Sequence, residues 1–347
     1  MTDHLFTPTI PTPDAWDAFV RAHPRAHLLQ LSEWGAHKRA FGWRDARVAV
    51  TDERGAILGG ALLLFRPLPA RLGSMAYVAM APLLDPARAA DITLNAAVWR
   101  AIDHAAKRDG AAFVRWEPGI YESDPPPDPE RFGFRPALAP IQPPRTVLID
   151  LADDDAMLAR MNQGTRRKIR QSLKGEVTYI QAARADLPRF TALMDATGER
   201  NAFGTYESAY YDGMFERFAP DDAALILAQH TESGQALAGV MVFAVGSSAW
   251  YLYGGSSDAH RNLMASYGAQ WGAIQWARAR GCTVYDMWGI PDAEPDRLEA
   301  EFETRADGLW GVYGFKRGWG GRIVRSLGAW DRVYNPLVFT LYQTAVR

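Results

Sequence analysis

The chain has 347 residues, 48% of them hydrophobic, with 38 Lys plus Arg against 40 Asp plus Glu for a net charge of −2. That length holds two domains of ordinary size, and the balanced charge excludes nucleic-acid binding by bulk charge, leaving only a local patch. The single cysteine, Cys282, cannot form an internal disulfide, no apolar run reaches the roughly 18 residues of a membrane span, and the start lacks the pattern of a secretory signal, so the chain reads as soluble and cytoplasmic.

After a Pro-rich lead, Pro13–Ala22 reads as a helix capped by Thr12, with Trp16, Phe19 and Val20 on one face. Ser32 is placed to cap a short helix that turns Trp34 inward and carries Lys38 four residues on. Asp45–Thr51 and Ala56–Pro67 alternate as strands about the turn Asp52-Glu-Arg-Gly55, a hairpin. A strand over Met75–Leu84 stops at Asp85-Pro86. A helix over Asp91–Arg108 closes at Gly110, and the strand Ala111–Trp116 follows. Gly119–Pro144 is Pro-rich and reads as a linker or irregular loop.

From Arg145 the order repeats. Thr146–Leu151 reads as a strand and Asp153–Leu173 as one basic helix; Leu187–Glu199 and Glu207–Phe218 are helical. Ala224–His230, Leu237–Val245 and Ala249–Gly255 are strands, Ala265–Arg280 a helix, and Thr283–Trp288 a strand. Each half is thus a hairpin, a strand, a long helix and a strand, which is an internal duplication of an α+β, acetyltransferase-like unit, with a ligand cleft expected between or beside the copies.

The stretch from Val284 to Gly321 holds the densest chemistry. Gly314 and Gly318 bracket Phe315-Lys316-Arg317, which suits close contact with a polyanion and equally describes an ordinary surface turn at a strand end. Arg166, Arg167, Lys168, Arg170 and Lys174 fall within nine residues, with Arg166, Arg170 and Lys174 on one helical face; the stripe fits phosphates or a solvated surface alike. The loops before the two long helices, Asp85–Asp91 and His260–Ser266, contain no glycine, which argues against cradling the pyrophosphate of acetyl-CoA. Asp85, Glu117 and Asp286 at strand ends are candidate acid–base groups, or caps of the turns that follow them. No metal-ligand spacing, G-x-S-x-G or Walker pattern is present. The 12 tryptophans and 13 tyrosines supply core packing, or the walls of a groove.

Taken together these motifs resemble the FemABX peptidyltransferases, a family that adds amino acids from aminoacyl-tRNA to the peptidoglycan precursor. Gln30-Leu-Ser-Glu-Trp34 with Lys38, Gln142-Pro-Pro-Arg-Thr146, Thr165-Arg-Arg-Lys-Ile-Arg170, Tyr251-Leu-Tyr-Gly-Gly-Ser256, Tyr285-Asp-Met-Trp-Gly-Ile-Pro291 and Gly314-Phe-Lys-Arg-Gly318 carry the resemblance over nearly the whole chain. It implies two acetyltransferase-like domains, 1–145 with 319–347 for the precursor and 146–318 for the aminoacyl-tRNA end, the last segment returning to the first domain. It also implies the compact form, without the helical arm of the staphylococcal members. Lys316, with Phe315, is implied at the transferred aminoacyl group; of Tyr251 and Tyr253, one is implied near the reacting centre, Tyr253 being assigned there and Tyr251 to substrate binding. Lys38 with Trp34, Asp85, Arg200 and Tyr206 are implied on the precursor, although Met80-Ala81 replaces the Arg-Gly that often comes before the proline near Asp85. Lys316, Arg317, Arg166, Arg167 and Arg170 are implied on tRNA phosphates.

The expectation is a cytoplasmic, monomeric aminoacyltransferase of cell-wall biogenesis and cell shape. Its co-substrates are aminoacyl-tRNA and a UDP- or lipid-linked peptidoglycan precursor, with no cofactor, no metal and no DNA partner, and with peripheral membrane contact left open. Three alternatives stand beside it: an acyl-CoA-dependent N-acyltransferase, a relative acting on another cell-surface or protein acceptor, and a non-catalytic RNA- or glycan-binding module.

Overall fold

The structure, a computed structural model, describes residues 6–125, 128–201 and 204–346. The chain divides into two units, Met1–Gln142 with Ser326–Arg347, and Pro143–Arg325.

In the first unit, β1 (Thr7–Thr9) leads to α1 (Pro13–Ala22), where the Thr12 hydroxyl accepts from the Ala15 N–H at 3.3 Å and Trp16 and Val20 are buried. In α2 (Ser32–Ala40), Ser32 is the first helical residue rather than the cap, the cap position being Leu31. The hairpin β2 (Arg44–Thr51) and β3 (Ile57–Pro67) forms about the expected turn. The strand expected over Met75–Leu84 is two, β4 (Ser74–Ala79) and β5 (Leu83–Leu84), because Met80 takes a left-handed φ of 56° and Pro82 brings no N–H to a ladder. Then come α3 (Ile92–Arg108), capped by Asp91, and β6 (Ala111–Glu117). The Pro-rich stretch after β6 is no linker: it belongs to this unit and contains β7 (Arg135–Pro136).

Gln30 is fully buried and bridges β3 and β4 beyond the end of their ladder. Its amide donates to the Ala79 carbonyl at 2.5 Å, and its carbonyl accepts from the Leu62 N–H at 2.8 Å. The first residue of the Gln30-to-Trp34 motif therefore replaces ladder hydrogen bonds that the backbone leaves unmade.

The second unit opens with β8 (Arg145–Asp150). The single basic helix expected next is two, α4 (Asp154–Arg160) and α5 (Gln163–Ser172). The break falls at Asn162, whose side chain caps α5 by accepting from the Thr165 N–H at 2.7 Å. The strand β9 (Val177–Gln181) follows α5 with no helical arm between them. Next are α6 (Leu187–Asn201), α7 (Ser208–Phe218), β10 (Ala223–His230), β11 (Ala236–Val245), β12 (Ser248–Ser256), α8 (Ala265–Ala279), β13 (Val284–Ile290) and α9 (Pro295–Glu301). The Phe315-Lys316 segment lies in a helix, α10 (Trp310–Lys316), and not at a strand end. The chain finishes with β14 (Arg322–Arg325), β15 (Trp330–Val333) and α11 (Pro336–Val346).

The two sheets repeat one plan. In the first unit the order is β1-β2-β3-β4-β6-β15-β7, and in the second it is β9-β10-β11-β12-β13-β8-β14 read in the same direction. In each, the third and fourth members of the hairpin–helix unit, β4 with β6 and β12 with β13, are the parallel pair across a long helix. The strand beside that pair is antiparallel in both: β15, from the end of the sequence, beside β6, and β8 beside β13. The last segment thus returns to the first unit, but only from Ser326. Residues 319–325, expected in the first domain, belong to the second, since β14 pairs with β8. Residues 143–145 belong there too: Asp292 accepts from Arg145 at 2.9 Å and from Arg325 at 2.8 Å, pinning both crossing segments to the loop after β13.

Each sheet packs its long helix over its own apolar cluster, α3 over Val48, Leu63, Phe65, Val78 and Val114, and α8 over Ile226, Val240, Val242, Tyr285 and Met287. Gly255 shows how close the layers lie on β12, because a Cβ there would stand 2.4 Å from the Leu193 carbonyl oxygen of α6. In the first unit the buried pair Arg115–Asp331 ties β6 to β15 through two hydrogen bonds of 2.9 Å, with side chains only 6% and 1% exposed. Asp331→Ala leaves the Arg115 guanidinium buried without its carboxylate, so a loss of about 3–5 kcal/mol is expected, read as a lower urea midpoint for the first unit; an unchanged midpoint would refute the pairing.

Candidate active site

The two parallel pairs differ at their ends. In the first unit β4 and β6 stay paired from Ser74↔Ala111 to Ala79↔Glu117. In the second, β12 and β13 pair only over Ser248↔Val284, Ala249↔Tyr285 and Trp250↔Asp286, after which the two strands share no bridge although both continue for several residues. The second sheet is therefore open at one end, and Lys316 reaches into the part of β13 released there.

Lys316 is the last residue of α10 and is only 6% exposed, contrary to the surface position that its flanking glycines suggest. Its Nζ donates to the Gly289 carbonyl at 2.8 Å and the Trp288 carbonyl at 3.3 Å, and stands 5.5 Å from the ring centre of Tyr251. Burial pushes the Lys316 pKa down to about 7, opposed by the Asp286 charge. The Asp286 carboxylate, also buried, is pushed up to about 6 by burial, against the Thr146 hydroxyl, the Trp288 N–H and Lys316. At neutral pH the amine is thus poised between its charged and neutral forms. Of its three N–H donors in the ammonium form, the two carbonyls take two.

Around this amine the structure gathers some expected residues. Phe315 packs on Tyr267 at 5.0 Å and Trp319 at 5.8 Å. Tyr267 in turn accepts from Lys168 at 3.0 Å, linking α8 to the basic helix α5. Gly318 lies directly on the start of α5: its carbonyl accepts from the Asn162 N–H at 3.1 Å, and a Cβ on it would stand 2.1 Å from the Thr165 hydroxyl. Arg167 and Arg170 are exposed and carry no ion pair among the described residues. Arg166 instead donates to the Leu158 and Met161 carbonyls and closes α4. Lys174 lies beyond the end of α5, so the expected three-residue face is not formed. Arg317 is ion-paired with Glu299, its Nε 2.9 Å from the carboxylate.

The two tyrosines of β12 part company. The ladder to β11 slips by one residue between Tyr251, opposite Val242, and Tyr253, opposite Met241. In a regular strand they would share a face; the extra residue, Leu252, sends them into different surroundings. Tyr251 packs against the α8 side of the core and under Lys316, its hydroxyl pKa pushed up to about 12 by burial. Tyr253 instead meets the rings of Tyr211 at 5.4 Å and of Tyr206 and Tyr210 at 6.1 Å. The tyrosine beside the lysine is thus Tyr251, and Tyr253, assigned to the reacting centre from the sequence, lies in this other cluster. Tyr206 is 48% exposed and stacked on Tyr210 at 3.8 Å. Arg200 is held within the unit by Ser256, Thr197 and Asp258.

In the first unit Lys38 sits between two indoles, 5.6 Å from Trp34 and 5.0 Å from Trp43, and burial and then Arg66 lower its pKa. Asp85 caps the turn after β5 by accepting from the Ala87 N–H at 3.0 Å. Leu84 and Pro86 on either side of it line a cavity of about 360 Å³ walled by Trp99, Trp116 and Phe132. His23, also at the cavity, accepts the Arg25 N–H on Nδ1, so Nε2 donates to the Leu84 carbonyl and the ring is neutral, as its burial requires. Glu117 is an anchor: it accepts from the N–H groups of Ile141 and Gln142 and from the Tyr77 hydroxyl, and burial raises its pKa.

The sequence reading missed the carbonyls of Trp288 and Gly289, Thr146 as the partner of Asp286, and Glu299 as the partner of Arg317. The Asp286-x-Trp288-Gly289 spacing is the one signal that points to the first two, because an aspartate two residues before a turn accepts its N–H.

Two acetyltransferase-like units, one of them open over a buried lysine, define a transferase of the tandem GNAT architecture. The FemAB family model matches residues 12–132, 132–232 and 227–347, and the chain belongs to that family. It is 27% identical, over 96% of its own length and 94% of the relative's, to the lipid II:glycine glycyltransferase of Staphylococcus saprophyticus. That alignment runs over 407 positions, so the relative carries insertions that this chain lacks. The crystal structure of FemX superposes with a TM-score of 0.85 at 23% identity, covering 96% of this chain and 99% of that one. A tandem GNAT protein from the clavulanic acid pathway gives a TM-score of 0.51 at 13% identity, covering 94% and 97%. Among the described residues no helix is long and apolar enough to cross a membrane.

Lys316 also carries a sign that can be tested. Its pKa is lower folded than unfolded, so the unfolded chain binds more protons between about pH 7 and pH 10.5. The stability of the wild type therefore rises with pH across that window relative to Lys316→Met, in which this titration is absent. Urea titrations of both proteins at several pH values should show the stability difference moving steadily in favour of the wild type from neutral to alkaline pH; a constant difference would contradict the depressed pKa.

Proposed function

We propose that the protein transfers an amino acid from aminoacyl-tRNA to the stem-peptide amine of a lipid- or UDP-linked peptidoglycan precursor, working as a monomer on the cytoplasmic side. The observation that carries this reading is Lys316, a cation held at the open end of the second sheet and joined through Gly318 to the exposed arginines of α5. The lipid II:glycine glycyltransferase relatives support the acceptor class. In this reading Arg167 and Arg170 take tRNA phosphates, while Lys38, Asp85, Arg200, Tyr206 and Tyr251 hold the precursor.

The chemistry asks little covalent work of the protein. The acceptor amine attacks the ester carbonyl carbon, a C–N bond forms, and the carbonyl electrons move onto oxygen. Collapse of that oxyanion breaks the bond to the ribose oxygen, which ends with the proton that the amine gives up. What accelerates such a step is alignment of the two substrates and a positive donor at the developing oxyanion. Lys316 supplies that donor, through the N–H that the two carbonyls leave over and through its charge.

The test is transfer of radiolabelled amino acids from a total aminoacyl-tRNA pool to UDP-linked and lipid-linked precursor, with RNase-treated tRNA as control. An RNase-sensitive product is expected, and its absence with both acceptors would reject the reading. Lys316→Ala should lower transfer by roughly 10²–10³-fold, measured at a temperature where circular dichroism shows the variant folded; near-normal turnover by the folded variant would remove the lysine from the reaction. Replacing Arg167 and Arg170 together by alanine should flatten the log–log salt dependence of tRNA binding by about 1.5, at roughly 0.7–0.9 per phosphate contact. An unaltered slope would take the RNA off α5.

A further inference from the structure

A single amine bonded to two successive carbonyls is not something a β-strand offers. Successive carbonyls of an extended chain point to opposite sides, so Nζ of Lys316 can meet those of Trp288 and Gly289 together only where β13 leaves strand geometry. It leaves at Trp288, which holds a left-handed φ of 60°, a conformation costly for a bulky residue and kept only when its surroundings impose it. The ladder from β13 to β8 shifts register over the same residues, between Asp286 and Gly289. One side chain accounts for the departure. Oδ1 of Asp286 accepts the Trp288 N–H at 2.7 Å, closing a turn two residues ahead, and accepts the Thr146 hydroxyl from β8 as well. Gly289 completes the turn: a Cβ there would stand 2.6 Å from the Pro143 ring.

We propose that Asp286 is a positioning residue for Lys316, setting the turn at Trp288 that aims two backbone carbonyls at the amine and leaves its remaining N–H for the substrate. This rests on the role of Lys316 proposed above and assigns Asp286 no contact with the reacting atoms. The charged or titratable groups around the amine are Asp286 from β13, whose charge also favours the ammonium form, and Tyr251 from β12; Arg317, the next residue, is engaged by Glu299.

The proposal separates geometry from charge, and two variants separate them in the tube. Asp286→Asn keeps an oxygen that accepts the Trp288 N–H and loses only the charge; Asp286→Ala loses both. Lys316 is labelled with the N-hydroxysuccinimide ester of acetic acid from mildly acidic to alkaline pH, so that the midpoint near 7 falls inside the range, and its acetylation rate is followed by mass spectrometry of the peptide. The high-pH plateau reports restraint of the amine, and the midpoint reports its charge. In D286A the plateau should rise several-fold. In D286N the plateau should stay and the midpoint move to lower pH. In the transfer assay D286A should lose about 100-fold in kcat with the acceptor KM little changed, and D286N should stay within about tenfold of wild type. Should D286A not fold, Asp286→Ser, whose hydroxyl makes a weaker form of the same turn, should give an intermediate plateau. A folded D286A with the wild-type plateau overturns the proposal, and so does a D286N that loses as much activity as D286A. The labelling needs no substrate, so a wild type inactive on both precursors would reject the transfer reaction while the plateau still decides the role of Asp286.

Discussion

The site depends on where one parallel ladder stops. The pairing of β12 with β13 ends at Trp250↔Asp286, where the corresponding ladder of the first unit runs on to Ala79↔Glu117. Backbone groups that the first unit spends on a continuous ladder are, in the second, available to a side chain. Lys316 comes in from α10 and takes two of them. A buried ammonium is costly unless its donors are met by acceptors, and two carbonyls with a carboxylate nearby supply that without neutralising it outright. Two sheets of one plan thus differ at a single pairing, and in the second the carbonyls released there hold a buried amine.

The basic helix shows how folding sorts a cluster of like charges. The sequence places Arg166, Arg167, Lys168, Arg170 and Lys174 together. Asn162 stops α4 and starts α5, which turns Arg166 back onto the carbonyls at the end of α4. Lys168 goes to Tyr267, beside Phe315. Arg167 and Arg170 remain facing solvent from a helix whose first turn is locked against Gly318. An exposed basic surface and a buried lysine are in this way parts of one packed arrangement, joined through Gly318, two residues after Lys316.

Much of this was legible in the sequence, and the limits have physical reasons. The hairpin of β2 and β3, the helix α3 and the repeated order were readable because alternation, an apolar helical stripe and closing glycines are local signals, although Asp91, read as part of α3, is its N-cap. The short strands β1, β7, β9, β14 and β15 were not, because their only reason to be strands is a partner distant in the sequence, as with Arg332 opposite Val114. The break at Asn162 had a local signal, an Asn three residues before Thr165, hidden under an unbroken basic pattern. Lys316 read as exposed because a cation between glycines usually is; the acceptors that permit its burial lie 27 and 28 residues earlier. Tyr251 and Tyr253 were inseparable by spacing, since only the slip in the ladder to β11 tells them apart.

The return of the last segment to the first sheet bears on the order of assembly. The second sheet draws β8 and β14 from positions that precede and follow its other strands closely, so it can be completed once residue 325 is available. The first sheet cannot: β6 ends at Glu117 but acquires its neighbour β15 only from residues 330–333, and with it the carboxylate of Asp331 for Arg115. During synthesis on the ribosome the first unit therefore waits, with the edge of β6 unpaired and a guanidinium unmatched, while the whole of the second unit emerges. An open edge held for that long invites pairing with another chain. The open edge of the nascent chain thus lies on β6, and the carboxylate that its arginine needs comes 216 residues later.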